Sequence, residues 1–200
     1  MSRIDETIAM DRRRFLRAAA TGGALLVAGG ALVIPRLFAA DNQPVGKPGN
    51  VMLEIFADNG RDLGPKLVSK LVLTDAQWRQ RLSPASFDVM RRAGTEMAFS
   101  GPHEKPNGKG LFRCAGCATA LYDAATEFDS GTGWPSFWQP IAKRNVIQNA
   151  DSSYGMDRTA ISCACCESHL GHVFDDGPQP TGLRYCMNSV ALRFVPRTAA

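Results

Sequence analysis

Residues 160–174 read AISCACCESHLGHVF, and the spacing of their cysteines decides the fold. Cys163 and Cys166 stand in a Cys-x-x-Cys arrangement that residues 114–117 repeat as Cys-Ala-Gly-Cys. Two such knuckles, separated by 45 residues, can bring four thiolates to one tetrahedral zinc ion, with Gly116 letting the first knuckle turn back on itself. A redox-active pair or two structural disulfides are the rival readings, and neither accounts as simply for the repeated spacing. Zinc held by Cys114, Cys117, Cys163 and Cys166 would keep the thiols deprotonated and would hold part of the fold together. Cys165 lies inside the second knuckle; the two-residue gap in the first knuckle favours the outer pair as ligands and leaves Cys165 as a buried or a resolving thiol.

Outward from the knuckles, the segments GLFRC, AISC, HVF and ALRFV are short and separated by Gly, Pro, Asp and Asn. They read as strands of a small, mainly β domain. Two short helices precede them. Thr74 with Gln77 forms a reciprocal capping pair, with Trp78 and Leu82 on one face, and Ser83-Pro84 restarts a helix through about Arg92 that Gly94 ends. Before these, VMLEIF is a strand candidate closed by the turn residues DNG, after a Pro/Gly linker at 42–50.

The chain has 200 residues, 44% hydrophobic and 21% charged, enough for one domain with an apolar core and too ordered in composition for a disordered chain. Its net charge of +4 is unevenly placed: six arginines against three acids put +3 into residues 1–40. The remaining body is nearly neutral, which argues against a nucleic-acid partner. In the leader, DRRRFLR at 11–17 precedes an apolar run from Ala18 to Ile34. This resembles a twin-arginine export signal, cleaved or retained as an N-terminal anchor, and implies a periplasmic location with membrane attachment only through the leader. The expected organisation is a leader at 1–40, a linker and extension at 41–66, and a domain at 67–196.

Cys186 stands apart from the knuckles in GLRYCMNSVALRF, with Arg184 close by to stabilise a thiolate. Four segments, GTE at 94–96, SGTGWPSF at 130–137, HLGHVFDDGP at 169–178 and GLRYCMNS at 182–189, resemble type B peptide-methionine sulfoxide reductases, which act on the R epimer. The resemblance spans roughly residues 67–196. It implies a compact Mss4-like β-tent domain, a structural zinc on the four knuckle cysteines, and Cys186 as nucleophile surrounded by His169, His172 and Asn188. It also implies that Trp134, with Phe174, walls the substrate methyl group. The implied chemistry is attack of Cys186 on the sulfoxide sulfur, leaving a sulfenic acid and methionine. His172 would deliver the proton or orient an ordered water, and His169 would assist in polarising the oxygen. The implied partners are proteins or peptides carrying methionine R-sulfoxide and a thioredoxin-like or other thiol reductant.

In one position the chain departs from many relatives. Where they carry a recycling cysteine inside SGxGWPSF, it has Thr132. Either an external thiol meets the Cys186 sulfenic acid directly or Cys165 resolves it. A non-enzymatic zinc module that binds a protein partner is the competing reading, and it offers no reason for Cys186 beside HLGH.

Overall fold

The computed structural model describes residues 43–103 and 108–197; the leader at 1–40 lies outside them. Among the described residues two α-helices form. Thr74 Oγ1 accepts the Gln77 amide at 3.2 Å while Gln77 Oε1 accepts the Thr74 amide at 2.9 Å, and α1 runs over Asp75–Arg81. Trp78 and Leu82, one turn apart, are both buried. Ser83 Oγ accepts the Ser86 amide at 3.1 Å, and with Pro84 in its first turn α2 continues over Pro84–Arg92. The residue that ends α2 is Ala93, left-handed at φ 52°, rather than Gly94. A Cβ at Gly94 would lie 2.6 Å from Asp88 Oδ2, so the Asp88 carboxylate would have to swing aside.

Ahead of the helices, β1 (Pro44–Val45) pairs with β4 (Leu73–Thr74), and β2 (Asn50–Phe56) forms an antiparallel hairpin with β3 (Asp62–Ser69). The expected strand VMLEIF is β2. Its partner carries Pro65 opposite Glu54, a residue that obscures a strand in sequence but is tolerated where one side of the strand has no neighbour. Asn145 clips the hairpin to the domain: its Oδ1 accepts the Glu54 amide at 2.9 Å, and its Nδ2 donates to Glu54 O at 2.8 Å and Ala120 O at 2.9 Å.

After the helices the chain is mainly β, as its short segments imply. Strands β5 (Gly110–Cys114), β6 (Ala120–Asp123) and β13 (Leu192–Pro196) form a sheet in the order β13-β5-β6. A six-stranded antiparallel sheet joins β7 (Glu127–Phe128), β8 (Ser136–Phe137), β9 (Val146–Asp151), β10 (Arg158–Cys163), β11 (His169–Phe174) and β12 (Arg184–Met187) in the order β7-β8-β12-β11-β10-β9. Aromatic side chains join the two sheets. Tyr122 stacks on Phe137 at 4.3 Å, and Phe112 meets Phe137 edge-on at 4.9 Å, contacts that contribute about 0.5–1.5 kcal/mol each beyond area burial. In β12 the alternation is clean: Tyr185 and Met187 enter this core, and Arg184 and Cys186 turn to the opposite, half-buried face.

Candidate functional site

Three strands align the reactive row. Cys186 on β12 is directly opposite Ser136 on β8 and His172 on β11, so the three side chains share the face turned away from the core. The hydroxyls of Thr132 and Ser136 lie within hydrogen-bonding reach of the Cys186 thiol, and Ser130 Oγ ties the two together at 2.8 Å each. Burial pushes the Cys186 thiol above its ordinary value, while the Arg184 charge and the two hydroxyls pull it back. The resting group is therefore a neutral thiol. Arg184 is itself held: its fork donates to Asp176 at 2.9 and 2.8 Å and its guanidinium lies 4.5 Å over the Phe174 ring.

His169 and His172 are three residues apart, and in a regular strand they would face opposite sides. A bulge in β11 changes this: Ile161 pairs with Gly171, but the next residue, Ser162, pairs with His169. The extra residue shifts the alternation by one and puts both imidazoles on the reactive face, with ring centroids 5.2 Å apart. Only glycine fits at 171, where a Cβ would lie 2.1 Å from Cys186 O. The two rings then differ. His169 is buried, and desolvation lowers its pKa to about 4, so it is neutral near pH 7. It sits behind His172 rather than in the cavity at Cys186.

His172 has a partner that its own stretch of sequence does not supply. Its Nε2 meets Asp151 Oδ2 at 2.7 Å, and Asp151 is braced by Arg158 at 2.8 Å and the Ser153 amide at 2.9 Å. Hydrogen bonds from Ser153 and His172 hold the Asp151 carboxyl well below the usual carboxylate range. An ionised Asp151 accepts the hydrogen on His172 Nε2 and fixes the orientation of the ring. Asp151→Asn is expected to lower kcat about 10- to 100-fold with little change in KM. Steady-state kinetics at wild-type kcat would reduce the pair to a structural contact.

A cavity of about 140 Å³ opens over Cys186, walled by Trp134, Phe174, Thr95, Arg158, His172 and Asn188. That is well below the roughly 300 Å³ of sites that enclose whole drug-sized ligands, and it suits a single side chain. Trp134 Nε1 donates to Glu96 O at 3.2 Å. Glu96 is fixed in turn, its amide donating to Asn188 Oδ1 at 2.9 Å and its carboxylate accepting the amides of Ser189 and Val190. Asn188 Nδ2 donates to Leu170 O at 3.1 Å. Asn188 thus braces the wall that carries Trp134 as well as lining the cavity.

The second centre lies where the two sheets meet. Cys114 ends β5 and Cys163 ends β10, and the residue after each knuckle, Ala118 or Glu167, takes a left-handed conformation at φ 63° or 56°. The knuckles therefore fold alike. All four sulfurs of Cys114, Cys117, Cys163 and Cys166 lie within 4.8 Å of one another, with Cys114–Cys166 at 3.6 Å and Cys117–Cys163 at 3.5 Å. A tetrahedron with zinc–sulfur bonds near 2.3 Å has edges of roughly 3.8 Å, so the geometry fits a metal ion and is far too open for disulfides. Hydrogen bonds from the other three thiols pull Cys166 down, whereas Cys114 and Cys117 are pushed up. Four thiolates so close together repel one another and need a cation to neutralise them.

Residues 82–196 match the SelR domain family. The chain belongs to that family, the type B methionine sulfoxide reductases. Curated SelR-family relatives include the peptide methionine sulfoxide reductase MsrB of Pseudomonas syringae pv. syringae, 50% identical over 131 residues that make up 66% of this chain and 100% of the relative. The proteins of the same name from Thiobacillus denitrificans and Leptospira interrogans are each 50% identical, over 124 and 121 residues, covering 62% and 60% of this chain and 94% and 92% of theirs.

Within this SelR-family domain the structure brings Cys186, His172, Asn188, Trp134, Phe174 and Arg184 together, and it keeps Cys165 apart. Cys165 lies against the β2–β3 hairpin in a hollow shared with Cys117, Thr119 and Leu53, and none of that hollow's walls belongs to the cavity at Cys186. Four contributors are given no role by the sequence. Asp151 and Arg158 have no local signal, since only the pairing of β9, β10 and β11 brings them to His172. Thr95 and Glu96 fall in GTE, a motif whose role shows only once that loop is seen against Trp134.

Proposed function

We propose that this chain reduces the R epimer of methionine sulfoxide in proteins, with Cys186 as nucleophile and oxygen acceptor. The observation that carries the reading is the thiol of Cys186 at the base of a side-chain-sized cavity, across the strand pair from a His172 that Asp151 orients. The sulfoxide oxygen faces the polar side at His172 and Asn188, and the methyl group lies against Trp134 and Phe174. As the Cys186 sulfur attacks, the S–O bond of the substrate breaks and the oxygen passes to the enzyme: Cys–SH and a sulfoxide become Cys–SOH and a thioether. One hydrogen moves from sulfur to oxygen with no net proton taken up. A neutral resting thiol is therefore the matched starting state, and His172 is the group placed to carry the proton across.

The sulfenic acid returns to thiol in two steps. An external thiol condenses with it, releasing water and forming a mixed disulfide, and a second thiol displaces Cys186. Thr132 offers a hydroxyl where a second thiol would be needed, and Cys165 faces another hollow, which favours an external thioredoxin-like donor. One zinc ion on Cys114, Cys117, Cys163 and Cys166 is the structural metal of the proposal. With four protein ligands it keeps no open position for substrate, and its chemistry is to neutralise the thiolates and join the sheets. Export by the twin-arginine leader to the periplasm completes the reading.

The test is a single turnover with each purified epimer, followed by peptide mapping. Reduction of the R epimer alone, with one oxygen gained on the peptide containing Cys186, is the expected result. A disulfide between Cys165 and Cys186 would move resolution inside the chain, and equal reduction of both epimers would overturn the stereochemical assignment.

A further inference from the structure

Neither the cavity at Cys186 nor the four-sulfur set uses the remaining thiol, Cys165. It holds the third position of its knuckle, where the first knuckle has Gly116. The two positions meet different surroundings. A Cβ at Gly116 would lie 3.2 Å from both Trp78 and Met90, so the first knuckle packs its glycine tightly against the helices. Cys165 instead lies under the β2–β3 hairpin, in a hollow of about 260 Å³ whose walls include Leu53, Val68, Thr119 and Cys117. Here the metal cluster is also most open: Cys114, Cys163 and Cys166 are buried, whereas Cys117 is only half-buried. The Cys165 thiol is within hydrogen-bonding reach of both Cys117 and the Thr119 hydroxyl, and that hydroxyl lies 3.2 Å from Cys117 Sγ. Main-chain bonds hold both residues in place. Cys165 O accepts the Leu71 amide at 3.0 Å, and the Cys117 turn is closed by the Ala118 amide donating to Cys114 O at 2.8 Å. The hairpin that roofs the hollow precedes the SelR match at 82–196. The most exposed ligand of the cluster thus stands beside a thiol that is not a ligand.

We propose that Cys117 and Cys165 are a peroxide-sensitive pair: hydrogen peroxide entering the hollow oxidises Cys117, Cys165 closes a disulfide onto it, and the cluster reversibly loses one of its four ligands. The consequence for the metal rests on the zinc reading; the disulfide does not. In the first step the Cys117 sulfur attacks the peroxide, the O–O bond breaks, and a sulfenic acid and water form. In the second the Cys165 sulfur displaces the hydroxyl, which leaves with the thiol hydrogen as a second water. Two thiols and one peroxide become one disulfide and two waters. A disulfide bond of about 2.05 Å is far shorter than a tetrahedral edge of roughly 3.8 Å, so forming it swings the Cys117 sulfur out of the ligand set. Of the thiols around Cys117, Cys165 is the one outside that set and free to condense. Capture by Cys165 also stops Cys117 at an oxidation state that thiols can reverse, short of the sulfinic acid.

The experiment treats the zinc-loaded full chain with stoichiometric hydrogen peroxide, following released metal with a colorimetric chelator and the thiols by fragment-resolved peptide mapping. A Cys117–Cys165 disulfide is expected, with one zinc released per bridge and nearly full zinc capacity restored by dithiothreitol. In Cys165→Ser the hydroxyl cannot condense. Cys117 is then expected to proceed to sulfinic acid, and less than about one-half of the zinc capacity to return on reduction. A bridge from Cys117 to Cys163 or from Cys165 to Cys186 in the unmodified chain would overturn the proposal. Equal recovery of zinc capacity in Cys165→Ser would overturn it as well. A reduced chain that holds no zinc before peroxide would overturn the metal reading instead, and the presence or absence of the Cys117–Cys165 bridge would still decide the pair.

Discussion

Cys186→Ser is expected to abolish reduction of methionine R-sulfoxide, by about 10³-fold or more, and to leave the fold and the metal centre intact. The serine hydroxyl is a far weaker nucleophile toward sulfur and cannot carry the transferred oxygen as a sulfenic acid. Structurally the change is mild. The position is half-buried on the outer face of β12, with the Thr132 and Ser136 hydroxyls beside it able to hydrogen-bond a serine Oγ as well as a thiol. The stability change should therefore stay within about 1 kcal/mol. Single-turnover assays with the purified R epimer, alongside metal content and thermal melting, separate the two effects. Turnover above about one-tenth of the unmodified rate would place the nucleophile elsewhere, and Cys165 would be the thiol to map next.

The metal centre supplies the second large effect. Cys114 closes a strand of the three-stranded sheet and Cys163 a strand of the six-stranded one, so the proposed zinc ion would tie both sheets. Structural zinc binds zinc-finger peptides with roughly 10–16 kcal/mol at neutral pH, comparable to the whole stability of a domain, about 5–15 kcal/mol. Removal leaves four crowded thiols where the sheets meet. Stripping with a chelator, or Cys166→Ser, is expected to lower the melting temperature by more than about 10 °C or to prevent folding. Metal analysis should give one zinc per chain before treatment and none after. A metal-free chain that melts where the untreated protein does would refute the role. Cys165→Ser is the matched control, because it alters the same knuckle without removing a proposed ligand.

What could be read along the chain is what chain neighbours decide. The capping pair at Thr74 and Gln77, the Ser83-Pro84 helix start and the two knuckles all form among residues within four of each other, so their hydrogen bonds and turns depend little on the rest of the molecule. Pro65 shows the limit from the other side: it hides β3 in sequence, and only the absence of a neighbour on one side of the strand makes it acceptable. Ala93 ends α2 one residue before Gly94, its own backbone taking the left-handed conformation and its amide donating to Asp88 O.

The sequence by itself determined the mainly β class, the four knuckle cysteines as one set, and Cys186 as the thiol that stands apart from both knuckles. Tertiary structure alone decided which side chains meet that thiol. Facing in a sheet depends on register, and a single inserted residue reverses it; the bulge before Gly171 turns His169 to the same side as His172. Asp151 comes from 21 positions before His172 and reaches it only because β9, β10 and β11 pair as they do. The cavity over Cys186 likewise exists only where β11, β12, Trp134 and Thr95 converge, since a cavity belongs to surfaces that packing brings together and to no single segment of chain.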